Sequence, residues 1–305
     1  MKKIKYQGGI TKLITSQIGN INKGKFTQVI NHDLPSIREK IVSKKLNIEV
    51  VSFSSKRDFS EQVLSILSFL RFAGLPSKWT VYSDGTHTQE QVKILEDSFE
   101  FICLELVDWT NQESLPKNCK ECLLPYQEML LDYAKKLPFG RRLYYYLNYK
   151  IIKPTLFLDS DILFYDRAYF FNHIISEKVA GWYLPEPVWG CLDTRYIAKH
   201  EEQLYQANGG FFLINREQID LEKGMEFLKS ADFTYEYFTD QNIFHIMFRS
   251  NGFMPLDPRI FVLDSSDQFD FSYLYPKEKM AIRHYTGPVR HKMWQRDWKW
   301  QLSMS

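Results

Sequence analysis

Two acids stand one residue apart inside a run of strand-forming residues. Asp159 and Asp161 lie in the segment from Thr155 to Tyr165, whose other members are mostly apolar. An ionised carboxylate is rarely buried without a partner, because its removal from water costs on the order of several kcal/mol or more. A metal site at the end of a strand would explain the pair. An Asx-type turn that ends the strand without any chemistry would explain it equally well.

The elements that precede these acids predict the class of fold. Hydrophobic patterning predicts strands over 47–53, 78–83 and 101–107, with a helix between each pair. This order favours parallel pairing through right-handed crossovers, which places ligands at the carboxyl ends of the strands. We therefore expect a mostly parallel, mixed α/β sheet flanked by helices. Asp159 and Asp161 would lie at the carboxyl end of a fourth core strand, and this position favours the metal site over the turn.

Local signals mark the ends of the first two helices. Asp58 with Glu61, and Thr88 with Gln91, have the spacing of a capping box, in which each side chain bonds the other's backbone amide. Gly74 stands where the first helix should end. The later part of the chain is less regular. Its expected elements are a helical region over 123–150, strands over 179–184 and 210–214, a helix over 240–249, and a tail over 280–300 that begins as a strand.

Composition and charge exclude several classes of protein. The chain has 305 residues, of which 44% are hydrophobic, and a net charge of +2, which argues against the phosphate neutralisation that nucleic-acid binding needs. Residues 1–30 do not combine a basic start, an apolar stretch and a small-residue cleavage site, and no apolar run approaches the ~20 residues needed to span a bilayer. We therefore expect a cytoplasmic protein.

The cysteines do not indicate a zinc site. Cys119 and Cys122 form one Cys-x-x-Cys pair, but two further ligands at suitable spacing are missing, so we expect free thiols.

Four later motifs accompany the acid pair in a fixed order. They are the stretch Asn208–Asn215, which begins Asn-Gly-Gly, then Asp240-Gln241, then His284–Pro288, then Lys292-x-Trp294. This series resembles the family-eight glycosyltransferases, which are retaining, metal-dependent enzymes of the GT-A fold that use nucleotide sugars, usually UDP-sugars. The likeness spans about residues 48–294. Two departures concern the last motif, where Met293 replaces the usual proline and the segment before Lys292 is about two residues longer.

The resemblance implies a metal centre and a set of substrate contacts. Asp159, Asp161 and His284 would bind Mn²⁺, with Mg²⁺ as the alternative, and a hard divalent ion suits a reaction in which a diphosphate leaves. Asp240 and Gln241 would lie on the face of the sugar opposite the leaving group. The substrate-binding positions would be Ser54, Ser55, Asp84, Arg142, Ser160, Asn208, Gly209, Gly287 and Lys292.

Several of these positions have an ordinary structural explanation as well. Asp84 before Gly85 has the form of a simple turn, and Asp240 stands at a helix start, where Asp caps. Arg141 is an alternative to Arg142 for contact with the sugar. Either Arg290 or His291 could replace Lys292 at the diphosphate, and all three could be solvated side chains.

The sequence predicts a hexosyltransferase with an unidentified glycan, lipid-linked or small-molecule acceptor. Two rivals remain. The first is a sugar nucleotidyltransferase, which would carry a glycine-rich loop after its first strand, whereas residues 54–58 of this chain contain no glycine. The second is a non-catalytic nucleotide- or sugar-binding module, which would not need the acid pair. We expect one catalytic domain over 48–305, preceded by an extension over 1–47 of unclear structure. Its basic tail, 290–300, carries three tryptophans and would either touch the inner face of a membrane or pack back onto the domain.

Overall fold

The computed structural model describes residues 10–116, 119–175, 178–201, 205–216, 219–268 and 274–303. Strands are labelled in chain order as β1 (Lys45–Ser54), β2 (Leu75–Ser83), β3 (Ile102–Glu105), β4 (Thr155–Asp159), β5 (Ile162–Phe164), β6 (Gly181–Glu186), β7 (Gln206–Ile214), β8 (Met254–Pro255), β9 (Phe261–Val262) and β10 (Ile282–His284). Helices are α1 (Ile10–Glu39), α2 (Phe59–Phe72), α3 (Gln89–Ser98), α4 (Gln127–Lys136), α5 (Pro138–Asn148), α6 (Phe171–Ile174), α7 (Thr194–Ile197), α8 (Glu222–Ser230), α9 (Thr239–Ser250), α10 (Arg290–Lys292) and α11 (Trp298–Ser303).

The main sheet has the strand order β3-β2-β1-β4-β7-β6-β8. Strand β1 pairs parallel with β2 and β4, β2 pairs parallel with β3, and β6 pairs parallel with β8. Only β7 runs against its neighbours β4 and β6. The predicted mixed, mostly parallel sheet is therefore confirmed.

Helices cover both faces of this sheet, because alternate side chains of its central strand enter two separate cores. Leu156 and Leu158 of β4 pack in the core that contains Val63 of α2. Phe157 points the other way, into the core that contains Tyr146 of α5 and Phe244 of α9. Its ring stacks on Phe212 of β7 with centroids 4.7 Å apart. The acids at the end of β4 are thus held on a strand that is packed from both sides.

One predicted helix cap is confirmed and the other is wrong. Thr88 and Gln91 form the full capping box of α3. Asp58 lies before α2 but makes no side-chain cap bond, because its carboxylate instead accepts the Ser55 hydroxyl at 2.8 Å and contacts Arg290. Gly74 ends α2 as expected, with φ +138.

The strand ends that carry polar residues meet at one edge of the sheet. Strands β1, β2, β4 and β6 end there, and β7 begins there because it is antiparallel to β4. A small second sheet, ordered β5-β10-β9, lies beside this edge, and in it His284 pairs with Ile162. The amide of Tyr285 also donates to the carbonyl of Asp161 at 2.8 Å. These bonds hold the end of β10 next to the end of β4.

The N-terminal region contributes a 30-residue helix, α1, that packs against the C-terminal segment. The Phe26 ring lies 5.4 Å from that of Trp294 and 6.0 Å from that of Trp298, and Asn22 donates to the carbonyl of Trp294 at 2.9 Å. Trp300 stacks on Phe72 of α2. The three indoles of the tail therefore pack onto the protein. None of the helices within the described ranges is long and apolar enough to cross a membrane.

Candidate active site

A crevice of about 1100 Å³ opens at the carboxyl edge of the main sheet. It is lined by twelve of the fourteen residues that the sequence indicates. These are Ser54, Ser55, Asp84, Arg142, Asp159, Ser160, Asp161, Asn208, Asp240, Gln241, His284 and Gly287. Gly209 and Lys292 are the two that do not line it.

Three potential metal ligands converge in the crevice. Asp159, Asp161 and His284 each present one ligand atom within 4.8 Å of the others. Nε2 of His284 lies 3.1 Å from Oδ1 of Asp161 and 3.8 Å from Oδ2 of Asp159. Two carboxylates and one imidazole form a donor set that suits Mn²⁺ better than Mg²⁺, which prefers oxygen ligands alone.

Space beside this cluster depends on Gly210. A Cβ atom at that position would lie 2.5 Å from Cε1 of His284 and 2.6 Å from Oδ2 of Asp159. Such contacts are too short to exist, so any side chain at 210 would displace the imidazole or the carboxylate. A Cβ atom at Gly209 would instead meet Phe244 and Arg142 on the other face of β7. Gly210 therefore faces the cluster, whereas Gly209, which the sequence indicates for substrate binding, lies on the other face of β7.

Arg142 joins the cluster to the start of α9. Its Nη1 lies 2.8 Å from Oδ1 of Asp159, and its Nε lies 2.9 Å from Oδ2 of Asp240. The neighbouring Arg141 points elsewhere and donates to the carbonyls of Asp84 and Ala134. The structure thus distinguishes two arginines that the sequence left as alternatives.

Arg290 is the cation nearest to Asp161. One of its nitrogens contacts Oδ2 of Asp161, and another lies 2.9 Å from Oδ1 of Asp58. Lys292 does not reach the crevice, because it is fully buried with its Nζ 3.8 Å from Oδ2 of Asp267. Residues 290–292 form one turn of helix, so the side chains two positions apart point in different directions. Arg290, which the sequence left as an alternative to Lys292, therefore lines the crevice beside Asp161.

A hydrogen-bonded group lies on the side of the crevice formed by β6, β7 and α9. Nδ2 of Asn208 donates to Glu186 at 3.0 Å and to Gln241 at 3.3 Å, and Oδ1 of Asn208 accepts from the amide of Gly210 at 2.8 Å. Gln241 also donates to the carbonyl of Cys191 at 2.6 Å. These bonds fix the amide side chains before any ligand arrives.

The opposite end of the crevice is formed by the ends of β1 and β2. Oγ of Ser54 is buried and has no hydrogen-bond partner among the described residues. Oγ of Ser55 caps the short turn over 56–58, and Oδ1 of Asp84 accepts from the amide of Thr86 at 2.9 Å. Asp84 therefore forms a simple turn, which was one of the two interpretations that the sequence left open. It also lines the crevice.

The electrostatics of the cluster follow from its burial and its ion pairs. Burial alone would raise the pKa of Asp161, but Arg290 and His284 outweigh it and hold that pKa well below its usual value. Burial would lower the pKa of His284, yet Asp161 and Asp159 raise it. For Asp240, burial outweighs Arg142 and the pKa is raised. The pKa of Asp161 is thus lowered by its cationic neighbours, whereas the pKa of Asp240 is raised by burial.

Sequence reasoning missed Glu186 and Gly210. Glu186 ends β6 and lines the crevice, and its pKa is raised by burial. Its only sequence signal was its place at the carboxyl end of a strand, which is shared by every strand-terminal residue. Gly210 was part of a recognised motif, but the face of β7 on which it lies depends on how that strand pairs with β4.

Comparisons with known proteins bear on the fold. No protein-family model matches the chain, and no curated protein matches it. The structure is similar to that of the galactosyltransferase LgtC in complex with donor and acceptor sugar analogues, with a TM-score of 0.53 and 14% identity over 84% of this chain and 95% of that one. It is also similar to the bifunctional glycosyltransferase WbbM, with a TM-score of 0.51 and 13% identity over 85% of this chain and 51% of that one. The chain has the GT-A fold of these glycosyltransferases.

Proposed function

We propose that this chain is a metal-dependent glycosyltransferase that moves a hexose from a nucleotide sugar, most simply a UDP-sugar, to an acceptor hydroxyl with retention of anomeric configuration. The observation that carries the proposal is the convergence of Asp159, Asp161 and His284 in the crevice of a GT-A fold. We assign the catalytic domain to residues 48–305.

In the proposed reaction the bond between the anomeric carbon and the diphosphate oxygen breaks, and its electron pair leaves with the nucleoside diphosphate. A new bond forms from the acceptor oxygen, whose proton passes to the departing diphosphate or to solvent. Retention requires either a covalent glycosyl intermediate or attack on the face from which the diphosphate leaves. A divalent ion bound by Asp159, Asp161 and His284 would neutralise the charge that builds on the diphosphate.

Different parts of the crevice would bind the nucleoside and the diphosphate of the donor. Ser54, Ser55 and Asp84 lie at the ends of β1 and β2, where we place the nucleoside. Ser160 and Gly287 line the crevice beside the metal ligands, where we place the diphosphate. There Arg290 would exchange its contact with Asp161 for one with the diphosphate, because a guanidinium donates two parallel hydrogen bonds to phosphate oxygens.

We place the sugar against Asn208, Gly210, Asp240 and Gln241. Asn208 and Gln241 present fixed amide groups to it, and Gly210 leaves room for it beside the cluster. The main role that we propose for Arg142 is to hold Asp240 in place, rather than to contact the sugar. Its hydrogen bonds already reach Asp240 and Asp159. Preorganised polar groups of this kind stabilise developing charge more than mobile ones do.

A panel of nucleotide sugars tests the proposal. The intact protein is incubated with each donor, Mn²⁺ and simple sugar acceptors, and NMR spectra of the products report the new linkage. The proposal expects that an α-linked donor gives an α-glycoside, and that a chelator stops the reaction. A new β-linkage would rule out retention, and the absence of both transfer and slow donor hydrolysis with every nucleotide sugar would rule out the glycosyltransferase.

A further inference from the structure

The outer face of α1 exposes four branched aliphatic side chains. Leu13 is 66% exposed, Ile14 47%, Ile18 39% and Ile21 61%. The spacing of Ile14, Ile18 and Ile21 places them on one side of the helix, since residues three and four apart are neighbours on a helix surface. Isolated exposed apolar residues are ordinary on protein surfaces, but a group of four on about two turns of helix indicates an interaction surface.

The inner face of α1 is already used. Phe26, Ile30 and Leu34 are buried in the core beside α2 and the C-terminal segment. Lys23 of α1 also bonds Glu61 of α2, with Nζ 2.7 Å from Oε2. The helix is therefore attached to the rest of the protein through one face. A surface or partner that binds the other face would tether the whole protein.

The N-terminal part of the sequence carries charge of one sign. Residues 1–32 contain six lysines, no arginine and neither Asp nor Glu, so this part carries a formal charge of +6 in a chain whose total is +2. The remaining residues together carry a net −4. Lys25 is exposed on α1 and makes no ion pair with the described residues. The exposed apolar residues 13–21 of α1 thus lie in the lysine-rich, acid-free part of the helix, which continues to Asp33 and Glu39. An apolar face beside lysines favours contact with an anionic membrane surface.

We propose that Leu13, Ile14, Ile18 and Ile21, which we call the α1 outer face, dock this protein reversibly on an anionic lipid surface. The aliphatic side chains enter the boundary between headgroups and acyl chains, and the lysines of residues 1–32 attract the anionic headgroups. A second copy of the chain is a poorer occupant, because two such segments would bring twelve like charges together. The tail over 290–300 is not the docking element, because its indoles pack on α1 and α2.

Sedimentation of the full chain with lipid vesicles tests this proposal. The vesicles contain either phosphatidylcholine alone or phosphatidylcholine with one quarter phosphatidylglycerol, each at low and at high salt. The variant Leu13→Gln/Ile18→Gln/Ile21→Gln removes most of the α1 outer face without touching a buried residue. The matched control is Val42→Gln/Ile152→Gln, because these two aliphatic residues are 94% and 64% exposed in other parts of the molecule.

We expect the wild type and the control to sediment with the anionic vesicles at low salt, with at least a tenfold loss of binding for the triple variant and a clear loss at high salt. Wild-type protein that stays in the supernatant with anionic vesicles at low salt would overturn the proposal, as would equal binding by the triple variant. A dimer in lipid-free ultracentrifugation that the triple variant abolishes would also overturn it, in favour of a second copy. Donor hydrolysis in the lipid-free sample tests the proposed function separately, because it does not depend on the vesicles.

Discussion

Arg142 and Asp240 form a buried ion pair across the crevice, from α5 to the first turn of α9. Nε and Nη2 of Arg142 lie 2.9 and 2.5 Å from the same oxygen of Asp240. The third nitrogen of the guanidinium reaches Asp159, at the end of β4. One side chain therefore couples the candidate metal ligand to the residue that we place against the sugar.

Removal of this arginine should destabilise the protein. In Arg142→Met, two largely buried carboxylates lose their shared cation, and the free energy of unfolding should fall by about 3–5 kcal/mol. Urea unfolding followed by circular dichroism measures it. The control is Arg141→Met, which removes hydrogen bonds to two backbone carbonyls and a contact with the Trp109 ring but leaves no carboxylate unpaired, and it should cost about 1–2 kcal/mol. An equal fall in the free energy of unfolding for the two variants would show that the ion pairs of Arg142 add no stability beyond that of ordinary hydrogen bonds.

Replacement of Arg290 and of Lys292 should have different effects. Arg290→Gln removes the cation that lies beside Asp161, so kcat/KM for the nucleotide sugar should fall by about 10²-fold. Lys292→Met should change that value little, because Lys292 is buried beside Asp267 outside the crevice. Its effect should appear in urea unfolding. The assignment of the diphosphate contact to Arg290 fails if the lysine variant loses the activity and the arginine variant keeps it.

A single methyl group at Gly210 should disable the site. The Cβ atom of Gly210→Ala would collide with His284 and Asp159, so Mn²⁺-dependent binding of UDP should disappear while the circular dichroism spectrum stays unchanged. Gly24→Ala is the control, since nothing lies within 4 Å of its added Cβ and alanine favours the helix by up to about 1 kcal/mol. Normal metal-dependent binding in Gly210→Ala would contradict the geometry described for the cluster.

Two buried histidines should make stability depend on pH. Burial lowers the pKa of His87 and of His245 from 6.5 to about 4 in each case. Both rings are therefore neutral in the folded protein at a pH where the unfolded chain takes up protons. The free energy of unfolding should thus fall as the pH falls from about 6.5 to 4, by about 1–2 kcal/mol per histidine at pH 5.

Urea unfolding at pH 7 and at pH 5 measures this loss. Nδ1 of His245 accepts from the amide of Ala207 at 3.2 Å, so Asn can replace it with an oxygen that does not titrate. His245→Asn should reduce the loss between the two pH values. A pH dependence that is identical in the wild type and in His245→Asn would show that the buried imidazole is not responsible.

The main sheet and most of the site were predictable because their signals are local. The strands around β4 follow from hydrophobic patterning, and Asp159 and Asp161 stand at a strand end, where ligands of parallel sheets bind. The early signals of α1 were weaker. Its buried face includes Thr15, Gly19 and Asn22, which are not apolar and hide the helical period.

The local sequence was least informative where a residue's position depends on distant parts of the chain. Asp58 has the spacing of a cap, but Arg290, 232 residues away, competes for its carboxylate. The choice between Gly209 and Gly210 depends on the pairing of β7 with β4, and the choice between Arg290 and Lys292 depends on where a short helix begins. Neither the pairing of β7 nor the start of this helix can be read from the residues next to the motif.

The central claim is that Asp159, Asp161 and His284 hold the ion that binds the diphosphate. Calorimetry of UDP binding with and without Mn²⁺ tests it most directly, using the wild type, Asp161→Ala and, as a control, the exposed Asp97→Ala. We predict that Mn²⁺ tightens UDP binding by the wild type and by Asp97→Ala, and that it has no effect on Asp161→Ala, whose circular dichroism spectrum remains native. Unchanged Mn²⁺-dependent affinity for UDP in Asp161→Ala would contradict the account.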